Sequence, residues 1–571
     1  MGNHQEISSF IWGICDDSLR GLFKQHEYGD VILPLVVLRR LDCVLEPYKK
    51  EIVEIHNQFK DKRDDTSKII HTKLGIKFSN YSQYDFERLK QEPNKLDENI
   101  YEYLSSFSSN VQDIIQNFGL QKHIDKLNSN DRLYLLIEKF TTVDLHPDVV
   151  DNHTMGQVFE ELLRRFSEMS NETSGEHYTP RDVVQLLVSL VFTPDIEELS
   201  KPNKIVSVYD PCCGTGGMLT IGKEHILKTI SPDVSVNLFG QELNPQTYSI
   251  CKSDFLITDE EPDNIKLGST LTKDQHDSHG RSFDYMITNP PFGVSWKNEE
   301  KMIKNESKEI GSRFEVGTPR VSDGSLLFLQ HMLSKRDRNN GSRIGVVFNG
   351  SPLFTGDSGS GESEIRKWII ENDWLECVIS LPTKLFFNTG IQTYLWIVTN
   401  KKSSNRKGKV QLIDGSRLGT SMRKNLGEKS NYITDEDSQK IINIYQGFVE
   451  NEYSKIFDNE FFGYTKVTIE QPLKENGIIQ LDRKGNRKPD SKLRDYERIP
   501  LSENIQDYFE REVFPNLPES WIDRSKDKVG YEINFTKYFY CYTPLRSSTE
   551  ITKDLQLLED EFRSLINQII D

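Results

Sequence analysis

Apolar residues recur at helical spacing through the first 145 residues of the chain. In GDVILPLVVLRRLDCVLEPYKK the positions Ile32, Leu35, Val36, Leu38, Leu41, Val44 and Leu45 share a face, and DRLYLLIEKF repeats the pattern further on. A helical domain over 1–145 is expected, with Pro34 in a first helical turn, where its missing amide is harmless. A second helix is expected from Met155, with Val158, Phe159, Leu162, Leu163 and Phe166 inward. After the polar SEMSNETSG, the segment GEHYTPRDVVQLLVSLV predicts another. There Thr179 is the expected N-cap, Pro180 the first helical residue and Asp182 the third residue of a capping box.

From Ile205 to Val398 the pattern changes to short apolar runs separated by amphipathic ones. IVSVYD, SVNLFG, FDYMITN, RIGVVFN, LECVIS and TYLWIVT are the expected strands. Their β-branched and aromatic content, with helical stretches between several, predicts a mostly parallel α/β sheet covered on both faces. Past residue 400 the chain turns polar, and KKSSNRKGK is expected as a turn or exposed loop. The closing ITKDLQLLEDEFRSLINQII predicts an amphipathic helix with Leu555, Leu558, Phe562, Leu565 and Ile569 on one stripe. The expected organisation is a helical domain at 1–145, a catalytic domain at 146–470 and a largely helical tail at 471–571. No separate β-rich module is expected after NPPFG.

The 571 residues carry a formal net charge of -17, which works against strong DNA binding by the chain alone. Seven cysteines without metal-ligand spacing suggest neither zinc nor a disulfide scaffold, and a reducing cytoplasm is expected. No metal site is expected. A signal-peptide pattern and an 18-residue apolar run are lacking, so no membrane role is expected. Glu6 stands where a myristoylation signal wants Ser or Thr.

The segment VSVYDPCCGTGGML is a strand that delivers Asp210 to its carboxyl end, followed by a turn with Gly214, Gly216 and Gly217. It lacks the dinucleotide spacing and the Lys-Ser/Thr of a phosphate loop. Asp210 would repel a pyrophosphate but can pair with the amino end of a methionine moiety. SVNLFGQELN ends a second strand at Glu242, placed to accept hydrogen bonds from two ribose hydroxyls. Together these acids suit S-adenosylmethionine. Plain tight turns carry similar glycines, so the pair of acids matters more than the glycines. Cys212 and Cys213 lack a base nearby in sequence and are expected to fill space under the turn rather than act as nucleophiles.

FDYMITNPPFG places Asn289, Pro290, Pro291 and Phe292 directly after a strand. The Asn289 side-chain carbonyl and the Pro290 backbone carbonyl can each accept a hydrogen from an exocyclic amine, and Phe292 can stack on an extruded base. A strand-ending turn would explain NPP alone. Asn rather than Ser before the prolines favours adenine N6 over cytosine N4.

These motifs, DPCCGTGG, GEHYTPR and NPPFG, resemble the modification subunit of type I restriction–modification systems, of the adenine-N6 class. ILPLVVLRRLDCVLE is similar to the family's helical N-terminal domain, and ERIPL with KVGYEINFTKYFY to its C-terminal tail. The resemblance implies a Rossmann-like S-adenosylmethionine-dependent methyltransferase sheet. It implies cofactor contacts from Glu176, His177, Tyr178, Thr179, Pro180 and Arg181, although His177 departs from the family's more usual residues. Further implied contacts are Asp210, Pro211, Gly214, Thr215, Gly216, Gly217 and Glu242, with Asn289, Pro290, Pro291 and Phe292 at the target base. Implied partners are double-stranded DNA, a specificity subunit bound by two modification subunits and docked on the tail, and a nuclease/translocase subunit. Asp284 is expected to be structural.

A stand-alone adenine methyltransferase, a methyltransferase for protein glutamine and an inactive scaffold of a defence complex are the alternatives. Two basic segments, SKRDRNNGSR (Lys335, Arg336, Arg338, Arg343) and RKGNRK (Arg483, Lys484, Arg487, Lys488), suit either solvated loops or contacts to the DNA backbone.

Overall fold

The computed structural model describes residues 4–63, 65–170, 179–258, 260–277, 280–387, 389–540 and 547–570. It forms two compact units, Met1–Ile533 and Asn534–Asp571.

Nine α-helices lie between His4 and Thr141 among the described residues. The helix Tyr28–Leu45 is buried nearly all round, which explains its apolar density. Pro34 lies seven residues inside this helix and not in its first turn. An interior proline forgoes one backbone hydrogen bond and costs about 3 kcal/mol. Burial of Val31, Ile32, Leu35, Val36 and Leu38 on either side offsets that cost. Arg40, 1% exposed, ties this helix to the start of the helix Asn152–Ser170: its guanidinium donates to the Val150 carbonyl at 2.7 Å and to Asn152 Oδ1 at 2.7 Å.

The central sheet has nine strands. They are β1 (Ile205–Asp210), β2 (Ser235–Glu242), β3 (Ile265–Leu267), β4 (Tyr285–Thr288), β5 (Arg343–Asn349), β6 (Leu375–Ser380), β7 (Thr393–Thr399), β8 (Lys409–Asp414) and, after a hairpin of β9 (Thr420–Leu426) and β10 (Lys429–Tyr432), β11 (Ser454–Asp458). Their order is β11-β8-β6-β7-β5-β4-β1-β2-β3. Pairing is parallel except on both sides of β7 and at the β11 edge. Both faces are covered, as successive β1 residues show. Val208 belongs to the same buried cluster as Val184, Leu187 and Val191 of the helix Arg181–Phe192, whereas Tyr209 points the other way and shares a 3.0 Å hydrogen bond with His331 of the helix Ser325–Ser334. Strand order reverses between β1 and β4, which puts a crevice at their carboxyl ends. At the far end of the same pair, Asp284 Oδ2 accepts from the Ser207 amide at 2.8 Å and from its hydroxyl at 2.7 Å, the structural role expected of it.

The helix Pro245–Ile257 is a shared wall. Tyr248, Cys251 and Phe255 pack toward the sheet, while Ile250 and Leu256 join the N-terminal helical core. Lys252 bonds Asp113 of that core at 2.8 Å.

Residues 463–531 depart from expectation. The end of the expected catalytic domain and the first part of the expected helical tail build a second, antiparallel sheet from β12 (Gly463–Glu470), β15 (Asp495–Pro500), β16 (Trp521–Ile522) and β17 (Lys528–Tyr531). A short hairpin of β13 (Lys474–Glu475) and β14 (Ile478–Ile479) projects between β12 and β15. The reason is alternation: Val467, Ile469 and Ile499 turn inward and close a small core with Phe509 and Val513. The expected turn at KKSSNRKGK is present, but within it Lys402 and Arg406 are buried; Lys402 pairs with Asp373 at 2.6 Å.

The second unit holds helices Phe535–Phe539 and Ser548–Ile570. On the latter, Leu555, Leu558 and Phe562 are each more than 60% exposed. No helix among the described residues is long and apolar enough to cross a membrane.

Gly345 marks where β5 meets its covering helix. A Cβ there would lie 2.6 Å from Val191 Cγ2 and 2.8 Å from Leu187 Cδ1. Gly345→Ala is expected to lower stability by about 1–3 kcal/mol through overpacking, read as a shift in the urea unfolding midpoint. An unchanged midpoint would show that the helix slides freely on β5.

Candidate active site

Asp210 is the last residue of β1 and is 2% exposed. Its Oδ1 accepts from the Cys212 amide at 3.0 Å and from the Thr288 hydroxyl at 2.6 Å. Burial raises its pKa to about 7; the negative charge of Glu242 adds to the rise, and these hydrogen bonds oppose it. Glu242 ends the neighbouring β2. One of its oxygens accepts from the Gly214 amide at 2.8 Å, the other from the Asn244 amide at 2.7 Å. The acid therefore fastens the glycine turn to the next strand.

The turn needs its glycines for two reasons. Gly214 and Gly216 have φ of 55° and 85°, where L side chains are strained. A Cβ on Gly216 would also meet Cys251 Sγ at 2.8 Å, and one on Gly240 would meet Cys213 Sγ at 2.8 Å. Cys213 fills space under the turn, as expected, and burial holds the Cys212 thiol far above the ordinary range. Gly217 opens the helix Gly217–His225, and Pro211 is buried, its carbonyl accepting from the Thr270 hydroxyl.

Asn289 follows β4 directly, so its side chain sits beside the same crevice as Asp210. Its amide nitrogen donates to the Thr179 hydroxyl at 2.8 Å. That contact revises the expected cap. The helix begins at Arg181 with Pro180 as its N-cap residue and no side-chain cap bond. Thr179 lies one residue too early to cap and holds Asn289 instead. Asp182 accepts from the Ile433 amide at 2.8 Å and pairs with Lys429 at 3.3 Å, which fastens the β9–β10 hairpin to this helix. Arg181 turns toward His153, 2.8 Å away, and lines a cleft of about 340 Å³ with Thr215, Gly217, Thr220 and Asp254. Pro290 is buried and Pro291 half-buried. Phe292 is only 4% exposed and packs edge-on against Phe386, with centroids 6.4 Å apart. Glu176, His177 and Tyr178 lie outside the described residues. Among the described residues no group of three His, Cys, Asp or Glu side chains could hold a metal ion.

The N-6 DNA methylase model matches residues 150–477, more than half of the chain, and spans all of this geometry. The chain belongs to the N-6 DNA methylase family. Residues 7–140 match the HsdM N-terminal domain. The methylase subunit of the type I restriction enzyme MjaIX from Methanocaldococcus jannaschii is 26% identical over 495 residues, 83% of this chain and 82% of that one. The HindI methylase subunit of Haemophilus influenzae is 31% identical over 266 residues, 46% of this chain and 55% of that one. Among solved structures, the type I restriction–modification methyltransferase subunit from Streptococcus thermophilus superposes with a TM-score of 0.62 at 22% identity. That match covers 81% of this chain and 97% of the other, and it supports the fold.

The residue that joins the glycine turn to Asn289 is Thr288. Its side chain is fully buried; the hydroxyl donates to Asp210 and lies 3.0 Å from Cys212 Sγ. In the sequence its one signal is a threonine ending the strand just before Asn289. The folded state favours protonated Asp210, so this group's contribution to stability is complete below the usual carboxylate range and is lost as pH rises through about 7. Thr288 opposes that loss by stabilising the ionised form. Thr288→Val should therefore cost more at pH 8.5 than at pH 5.5. We expect about 1.5–3 kcal/mol against about 0.5–1.5 kcal/mol, measured by urea unfolding, with Thr288→Ser close to wild type. Equal losses at both pH values would place the hydroxyl's role elsewhere.

Proposed function

We propose that the chain transfers a methyl group from S-adenosylmethionine to N6 of an adenine extruded from double-stranded DNA, as the modification subunit of a type I restriction–modification complex with a specificity subunit and a nuclease/translocase subunit. The observation that carries this is the meeting of the two motifs in one crevice: Asp210 and Asn289 lie at adjacent strand ends, linked through Thr288.

The residues fit the cofactor in chemistry. A buried carboxylate at Asp210 suits an ammonium, Glu242 on the next strand suits ribose hydroxyls, and Gly214 has open space where a Cβ would stand. When bound, S-adenosylmethionine supplies a methyl group already activated by its sulfonium. What remains for the chain is positioning. Thr179 takes the amide hydrogen of Asn289, which orients Oδ1 to accept one hydrogen of the adenine amine. The Pro290 carbonyl would accept the other. These two acceptors draw the amine lone pair out of conjugation with the ring and toward the methyl group. Phe292 would stack on the base once its contact with Phe386 opens.

Asp210 also sets a pH dependence. An ammonium needs the ionised carboxylate, so cofactor affinity should fall as pH drops below about 7, by up to tenfold per unit, and level off above it. Calorimetric titration of the chain with S-adenosylmethionine between pH 5.5 and 8.5 checks this. A flat profile would remove Asp210 from the ammonium site.

The deciding experiment expresses the chain with and without its specificity subunit, supplies DNA and labelled S-adenosylmethionine, and identifies methylated bases by mass spectrometry. N6-methyladenine formed only with the partner is the expected result. Asn289→Ala should reduce it about 10²–10³-fold with cofactor binding retained. N6-methyladenine without the partner would favour a self-sufficient enzyme. Cofactor binding without any methylated base would favour an inactive scaffold or a non-DNA substrate.

A further inference from the structure

The two basic segments have different fates in the fold. In SKRDRNNGSR, Lys335 is 4% exposed and pairs with Asp274 and with Asp277 at 3.0 Å. Arg343 is 3% exposed, between Asp195 at 3.2 Å and Glu376 at 2.6 Å. Arg336 lies over the Trp374 ring at 4.3 Å. Their charge is consumed inside the protein, which removes most of this segment as a DNA contact.

The other segment is built outward. Between Glu470 and β15 the chain makes a finger, pinned at its root by Arg494 on the buried Glu470 at 2.9 Å and by the Asp490 amide on the Gln471 carbonyl at 2.8 Å. Along its length the Leu473 amide donates to the Lys488 carbonyl at 2.8 Å and the Lys488 amide to the Gln480 carbonyl at 2.9 Å. At the tip Asp482 accepts from the Lys484 and Asn486 amides at 2.8 and 2.9 Å. The finger is thus shaped by backbone hydrogen bonds, with Ile478 and Leu481 68% and 58% exposed and little apolar surface buried within it. Ordering a segment costs about 1–2 kcal/mol per residue in backbone entropy, and no core of its own offsets that here.

Charge indicates what the finger meets. Residues 474–494 carry seven basic against three acidic side chains, on a chain of net charge -17. Near the root, Lys474 pairs with Glu519 and Arg487 donates to the Glu519 carbonyl. Arg483, Lys484, Lys488 and Lys492 are exposed and make no ion pair among the described residues. We infer that this finger lies along the phosphate backbone of duplex DNA, with Arg483, Lys484, Lys488 and Lys492 as the phosphate contacts. The inference rests on the DNA-methyltransferase reading above and adds the surface that holds the duplex.

The test measures binding of the full chain to a duplex of arbitrary sequence, by fluorescence anisotropy between 50 and 200 mM salt and without cofactor. Three proteins are compared: wild type, the finger variant R483Q/K484Q/K488Q/K492Q, and a control that removes as many exposed charges elsewhere, K50Q/K60Q/K62Q/K68Q. Each phosphate contact contributes about 0.9 to the slope of log affinity against log salt. The finger variant should lose about 3 to 4 from that slope, single variants about 0.9 each, and the control none. Far-UV circular dichroism and unfolding midpoints confirm that the variants fold. Equal losses in finger and control variants, an unchanged finger slope, or no binding by wild type at 50 mM salt each overturn the inference. So does an unchanged slope with lost specificity-subunit binding, which would make the finger a protein contact. Base methylation is scored separately. Methylation with an unchanged slope rejects the finger and keeps the proposed function, and a finger-dependent slope without methylation does the reverse.

Discussion

A carboxylate buried at a strand end is costly, and the centre of this protein is arranged around meeting that cost at Asp210. Its oxygen takes a backbone amide from the glycine turn and a hydroxyl from β4, so holding it ionised while buried draws on the turn, β1 and β4 together. Glu242 fastens the turn from the other side through the Gly214 amide. Three strands and one turn therefore share a single set of hydrogen bonds at their carboxyl ends, while Asp284 and Ser207 lock β1 to β4 at the opposite end. Loosening either end would change the angle at which Asn289 meets the crevice.

The same economy governs the basic residues. Arg343 is enclosed by Asp195 and Glu376, Lys335 by Asp274 and Asp277, and Arg40 by backbone carbonyls. Breaking a buried ion pair such as Arg343–Glu376 from one side typically costs about 3–5 kcal/mol, so these cations hold the scaffold. Positive charge outside is then a local matter, decided by which segments the fold keeps out of its interior. Composition alone reports the balance and not the location.

Much of the central sheet was legible because buried parallel strands need apolar runs. β5, β6 and β7 coincide with RIGVVFN, LECVIS and TYLWIVT to the residue. β3 was not, being three residues long, and β8 follows a polar stretch whose Lys402 and Arg406 turn inward. The antiparallel sheet at 463–531 was hidden by its half-polar alternation, which reads as loop until Val467, Ile469 and Ile499 are seen to share a face. At the site, Asp210, Glu242 and Asn289 stood out through residue type in a turn context. The partners of these residues did not. Thr179 reads as a helix cap from its spacing and becomes a contact of Asn289 only because the helix starts one residue later. Thr288 reads as one more β-branched strand residue, and its hydroxyl acquires meaning only from the facing strand.

Phe292 shows how far a closed site can differ from a working one. Covered by Phe386, its ring contributes to the core in the free chain. Exposing a phenylalanine side chain costs about 1.5–3 kcal/mol, and stacking on a base returns about 1–3 kcal/mol. On the proposed function these terms nearly cancel, so the ring would stay buried without a base and turn out at little net cost when one arrives. A permanently exposed Phe292 would, on that reading, offer tighter base binding but would leave an apolar ring in water beside Asn289. On the proposed function the buried ring fits a subunit that would meet its base only after other contacts have brought DNA to the crevice, and base entry, rather than methyl transfer, would be the step most sensitive to the packing around Phe386.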